Sequence, residues 1–305
     1  MIISFFLNSH AIAQNTADDS FKPSGKIWGY MFGDLFYKTG GDTLYWGRSE
    51  YAAQKQGDLG AKLRRLYFGY DYNISKRWST RLLLEGTSGT VLPSGQFTVM
   101  VKLGYLQYAN FLPAIPGAII KAGLISTPTF AFPEKSWGYR SVEKESLDLR
   151  GLGNSVDQGA SFEGFFTDKK TGGFFMMVGS GAGNKPIYSK YLEYYLSVHQ
   201  RFFKNKLNVE LMGDLRPLSD ESEKILLRGY LSYEIEKLRL GAEISPNHIA
   251  ETVVADSVSI TYNTNPLSLS FFVSPRLTEN VYLFLRYDLY NPDTKYNPDY
   301  DYTLP

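Results

Sequence analysis

The sequence predicts an all-β fold, an antiparallel up-and-down transmembrane β-barrel. Strand-like segments of about ten residues recur along the chain, the length at which a tilted strand crosses a bilayer. Apolar residues hold every second position within them. Leu66, Phe68, Tyr70 and Tyr72 share one face of a segment, and Tyr67, Gly69, Asp71 and Asn73 share the other. Strand side chains alternate with a period of two, so one face meets oil and the other meets water. Short polar turns alternate with longer connections between the segments, the asymmetry of outer-membrane barrels, whose short turns are periplasmic.

Composition agrees. The chain has 305 residues, 43% hydrophobic, with a mean hydropathy of −0.24. It contains no apolar run long enough for a transmembrane helix. Aromatic residues make up 15%, with 23 Tyr and 20 Phe, which suits girdles at the two membrane interfaces. A soluble β-sandwich is also rich in Tyr and Phe; recurrence of the apolar face in nearly every segment favours the barrel. A net charge of +1 offers no field to select nucleic acid. The absence of cysteine excludes a disulfide scaffold, a thiolate metal site and a cysteine nucleophile. Three histidines, His10, His199 and His248, leave little for a histidine metal cluster. No cofactor or metal is expected.

Residues 1–13 read as a signal peptide. Ile2 to Leu7 form a short apolar core, and Ala11-Ile12-Ala13 precedes Gln14 as an A-x-A cleavage site. The basic start of such a peptide is missing, and a first core strand is the competing reading. Residues 14–25 are a polar periplasmic lead-in, and 26–305 form the barrel. Strands are expected over 26–37, 62–73, 78–88, 97–108, 117–125, 158–167, 172–180, 190–203, 206–215, 224–234, 238–245, 267–274 and 280–290. Polar turns such as Asn73 to Arg77, Thr167 to Gly172 and Phe203 to Lys206 separate them. Successive turns lie roughly 30 to 42 residues apart, room for two strands and a longer connection. Val258 to Tyr262 also alternates, and either extends a hairpin beyond the membrane or pairs as a separate strand. About thirteen strands is an odd number, whereas single-chain bacterial barrels close on an even one. Asn291 to Asp293 and Tyr296 to Asp301 read as an external loop. The expectation is therefore a barrel incomplete at its C-terminus.

Residues 126–157 break the rhythm. This stretch holds Pro128, Pro133, Trp137, Gly138, Tyr139 and Arg140, then a charged run from Glu143 to Arg150. Long connections without strand patterning are functional or disordered. Aromatics, prolines and both charge signs argue for order, and the natural place for such a loop is inside the lumen, as a constriction.

Thr127-Pro128-Thr129-Phe130, Glu134 to Lys144 and Asn154 to Gly159 together resemble the Bacteroidota branch of the phosphate-selective porin O/P family. Arg286-Tyr287-Asp288-Leu289-Tyr290-Asn291-Pro292 is similar to that family's late strand end, and Gly25 to Gly41 and Arg64 to Tyr67 fit its N-terminal region. The resemblance implies a sixteen-stranded barrel of the bacterial outer membrane, commonly a homotrimer, that passes small hydrophilic solutes or anions by passive diffusion. Anion-selective members line the pore with Arg and Lys. The candidates here are Lys135, Arg140, Lys144 and Arg150 in the loop. On the wall, parity selects Arg65, Arg81, Lys102, Lys121, Arg228 and Arg286, with Arg201 and Arg239 on the same faces. Those faces also carry Asp71, Glu85, Glu193, Glu210, Asp214, Glu243 and Asp288, and the loop carries Glu134, Glu143, Glu145 and Asp148. The balance predicts a transverse field and weak ion selectivity, so phosphate specificity is not carried over. Neutralisation across strands is the competing role for each cation.

Phosphate-binding glycine loops, the G-x-S-x-G elbow and HExxH are absent. Gly179 to Gly183 read as an external turn. His199, Ser197 and Glu193 share a strand face, which makes an outer-membrane barrel enzyme of the lipid-hydrolase type one alternative. A soluble β-rich glycan-binding domain is the other. The favoured expectation is a non-enzymatic porin whose partners are outer-membrane lipid and small solutes.

Overall fold

The period-two pattern builds one continuous antiparallel sheet. A computed structural model describes residues 21–41, 51, 54–91, 97–186, 189–255 and 258–295. The expected signal peptide, most of the lead-in and residues 296–305 lie outside the described residues. The strands are β1 (Ser24–Tyr37), β2 (Leu59–Asn73), β3 (Trp78–Val91), β4 (Phe97–Ala109) and β5 (Ile119–Ser126). After two helices, α1 (Pro128–Trp137) and α2 (Ser146–Arg150), come β6 (Val156–Phe165), β7 (Gly172–Gly179), β8 (Glu193–Phe202) and β9 (Leu207–Pro217). The chain continues through β10 (Glu223–Ile235), β11 (Leu238–Ala255), β12 (Val258–Thr264), β13 (Leu267–Pro275) and β14 (Leu285–Asn291). Each strand pairs with its neighbours in chain order, except that β12 lies off the path and pairs only with β11. Among the described residues no ladder joins β14 to β1, so the sheet is open there.

The expected strands are present, with differences at three places. β11 runs past residue 245 because its far half, Ile249 to Ala255, pairs with β12. The segment from Val258 to Tyr262 thus extends a hairpin. β14 starts at Leu285 rather than near 280. A turn at Leu277–Val281 precedes it, and the Phe284 ring stacks on Tyr139 at 4.3 Å. Within 126–157 the chain forms two short helices. Thr127 caps α1 and Pro128 opens it, while Gly138 ends it at φ 80°, a left-handed position that suits a residue without Cβ. Glu145 caps α2 by accepting from the Leu147 and Asp148 amides, and Gly151 ends it at φ 68°.

Large apolar side chains crowd one face of the sheet and stay exposed, among them Leu211 at 66% and Tyr287 at 64%. The opposite face buries Ser161, Ser197, Glu210, Arg228, Ser232 and Glu243. An apolar exterior of this extent is unsuited to water and suited to lipid. The buried apolar clusters lie on the polar side, where the helices meet the wall.

Three register shifts interrupt the ladders, one of them between Gly86 and Val91. Phe32 pairs with Arg65 and Gly33 with Leu63, which leaves Arg64 as an extra residue. Leu83 pairs with Leu103 and Leu84 with Val101, which leaves Lys102 extra. Bulges of this kind re-aim side chains. Arg64 and Arg65 both reach inner-face partners.

The lipid-facing assignment has an energetic consequence. Leu231 is an exposed residue near the middle of β10. Leu231→Arg is expected to destabilise the protein by about 2–4 kcal/mol in a bilayer, read from urea unfolding in phospholipid vesicles.

Candidate solute pathway at the loop and inner wall

Residues 127–155 lie against the polar face of the sheet and are held there by polar side chains of β2, β4, β10, β13 and β14. The Arg228 guanidinium on β10 donates to the Thr129 and Pro128 carbonyls, stopping the first turn of α1 against the wall. The Ser136 hydroxyl lies 2.7 Å from that of Ser232 and donates to Glu234 at 2.6 Å. On β13, Tyr139 bonds Ser274 and Ser146 bonds Ser268. From β14, Arg286 donates to the Lys144 carbonyl at 2.7 Å and sits over the Trp137 ring at 4.8 Å. From β2, Arg64 donates to the Ser141 and Val142 carbonyls at 2.8 and 2.7 Å. From β4, Lys102 donates to Ser155 at 2.8 Å.

Apolar packing follows the same seams. Phe130, Leu147 and Leu152 pack with Met212 and Leu226 of the wall. Trp137 packs with Tyr230 and Phe272. The inner wall is therefore not uniformly hydrophilic: it is apolar where a helix rests on it. Sequence parity placed Arg228 on the inner face, and there it is 2% exposed, covered by the loop.

Among the described residues, eight of the twelve predicted cations have an acidic or aromatic partner, and Lys135, Lys144, Arg201 and Arg239 do not. Arg65 and Lys102 share Glu85, each at 3.1 Å. Arg81 pairs with Asp71 at 2.5 Å, Lys121 with Glu163 at 2.8 Å, Arg228 with Glu210 and Arg286 with Asp288 at 2.7 Å. Arg140 lies between Glu134 at 2.9 Å and Asp148 at 3.2 Å. Arg150 stands over the Tyr290 ring at 5.1 Å. Lys144 contributes its backbone carbonyl to the Arg286 contact. Lys135 is exposed, and among the described residues no acidic partner meets it. Missed by parity, Arg64 pairs with Asp34 at 3.4 Å and Glu143 at 3.6 Å; its signal, the adjacent Arg-Arg, was masked by a bulge that the sequence does not mark.

Two further groups bear on chemistry. Ser197 donates to Glu210 at 2.6 Å, and the His199 ring lies 5.3 Å from that of Phe132. At the foot of α2 the Glu145 carboxyl meets that of Glu243 beside Arg286 and Ser270. Burial, and then the Glu243 carboxylate, push the Glu145 carboxyl well above its ordinary value of 4.5, against the opposing pull of Arg228. Among the described residues no cluster of His, Asp and Glu is arranged to hold a metal ion.

Three solved structures with a similar arrangement of strands are outer-membrane proteins. An anion-selective porin from Comamonas acidovorans superposes with a TM-score of 0.59 at 11% identity, covering 88% of this chain and 79% of that one. OmpF of Salmonella typhi, in complex with daunomycin, gives 0.55 at 10% identity over 87% and 78%. A loop L8 deletion mutant of OmpT, an outer membrane protein of Vibrio cholerae, gives 0.54 at 12% over 87% and 81%. At these identities the likeness establishes the porin-like barrel fold. No protein-family model matches the chain, and no curated protein matches it.

The buried pairs behave differently when broken and when replaced. Arg228→Met leaves Glu210 charged and uncompensated, so a loss of about 3–5 kcal/mol is expected. Combining it with Glu210→Gln is expected to recover the part due to the stranded carboxylate and not the part due to the lost Thr129 and Pro128 contacts, in the same unfolding measurement. For Glu145, the fold favours the protonated form. Its contribution is complete below 4.5 and is lost as pH rises through the raised value. The unfolding free energy is expected to fall over that rise, and Glu145→Gln is expected to flatten the response.

Proposed function

We propose that this chain is an outer-membrane porin. Small hydrophilic solutes or anions diffuse passively along its polar inner face, past a constriction made by residues 126–157. Outer-membrane lipid covers the apolar exterior, and a homotrimer belongs to the same reading. The observation that carries it is the seating of one loop on strands from β2 to β14, all on the polar side of the sheet. A sheet that is oily outside and polar inside, with an ordered loop on the inner side, has the parts of a narrowed aqueous channel.

The charges argue for a general pore. Most of the wall cations are matched by carboxylates, which argues against a continuous basic ladder of the kind that would strip and bind a phosphate. Among the described residues, Lys135 is an exposed candidate cation without an acidic partner. The hydrolase alternative would need a hydroxyl activated by an imidazole. Ser197 instead donates to a carboxylate, and His199 rests on an aromatic ring. The reading is of a protein without catalytic activity.

Arg140→Glu tests the constriction. It removes the cation between Glu134 and Asp148 and adds a third carboxylate. In planar bilayers under a salt gradient, the reversal potential is expected to shift towards cation selectivity. Unchanged selectivity would remove Arg140 from the solute path, and absence of ion conductance in the wild type would overturn the porin reading.

A further inference from the structure

The outward face across β3 to β8 is not smooth. It holds a trough of about 690 Å³. Its floor is set by Ala122 and Ala160, direct cross-strand partners that each raise only one methyl group. Met176 and Leu196 form the wall on one side. At the short-turn end it runs to Trp78 and Tyr108, whose rings lie 4.6 Å apart. Next to that end stands Arg77, exposed in the turn between β2 and β3. Its Nη1 donates to the Tyr108 hydroxyl at 3.2 Å.

We propose that this trough seats one acyl chain of a glycerophospholipid whose phosphate rests on Arg77. An apolar channel ending in paired aromatics and a guanidinium has the polarity profile of an anionic amphiphile. Trp and Tyr settle at headgroup level, and an exposed arginine can offer two parallel N–H groups to phosphate oxygens. In barrels of this class the short turns face the periplasm, so the site opens to the leaflet built of glycerophospholipids. A second copy of the chain would bring an apolar strand face and leave Arg77 without an anion. A smaller depression of about 400 Å³ around Gly229, on the same outer face, is lined without a tryptophan. The inference needs only the lipid-facing exterior and not the identity of the solute.

The experiment is native mass spectrometry of the full chain released from nanodiscs of mixed phosphatidylethanolamine and phosphatidylglycerol. A retained phospholipid adduct is expected. Arg77→Glu replaces a charge-assisted contact by repulsion, and a loss of about tenfold or more in adduct is expected. Ala160→Phe, which fills the trough, is expected to lower it comparably. Gly229→Leu, which fills the other depression, is expected to leave it unchanged, and diacylglycerol without a phosphate is expected not to compete. Heat-modifiable gel migration verifies that each variant keeps its fold; Arg77 lies in an exposed turn, so its substitution leaves the sheet intact. Retention of the adduct in Arg77→Glu, equal loss in Gly229→Leu, or a chain-to-chain cross-link through Ala160→Cys would each overturn the proposal.

Discussion

Three residues within one short stretch of the loop, Ser141, Val142 and Lys144, hold the two sides of the sheet together. Arg64 of β2 donates to the carbonyls of Ser141 and Val142, and Arg286 of β14 donates to that of Lys144. Strands near opposite ends of the sheet path converge on one short piece of backbone. The sheet must therefore curl around the loop, with its polar face inward. Hydrogen bonds from charged donors are worth about 1.5–3 kcal/mol each, and more is lost when a buried partner is stranded. The curl, the enclosed loop and the outward apolar face are consequences of the same set of contacts.

Burying this many ion pairs does not by itself make a stable protein. The desolvation of two charges offsets much of their attraction. What the Arg228–Glu210 pair does is position: the guanidinium reaches the carbonyls of Pro128 and Thr129 and sets where α1 stops against the wall. The aromatic contacts of Trp137 and Tyr139 with Phe284, at 5.3 and 4.3 Å, fill the space beside it. Ion pairs fix where the loop sits, and apolar packing fills the space between it and the wall.

The strands were legible because a period of two is a local signal that a one-sided environment imposes on every crossing. The break at 126–157 was legible for the converse reason. Its helices were not read, although Thr127-Pro128 before Thr129 is a helix-start signal; both helices are too short to show a period of their own. Arg64 escaped because a bulge changes parity without leaving a mark in composition. Arg228 was assigned to the correct face, but nothing local tells that a loop about a hundred residues earlier covers it. The inward apolar residues Leu226, Met212 and Phe272 interrupt the polar face for the same reason: their partners come from the loop. Val258 to Tyr262 stayed open between two placements because alternation gives a strand's faces and not its partner.

The central claim is that successive residues of a strand face different solvents. The chain contains no cysteine, so a polarity-sensitive fluorophore can be placed on single introduced cysteines at positions 66 to 71 of β2 in lipid vesicles. The account predicts alternation along the series, with blue-shifted, lipid-like emission at Leu66, Phe68 and Tyr70 and red-shifted emission at Tyr67, Gly69 and Asp71. Uniform emission, or the opposite alternation, would contradict it.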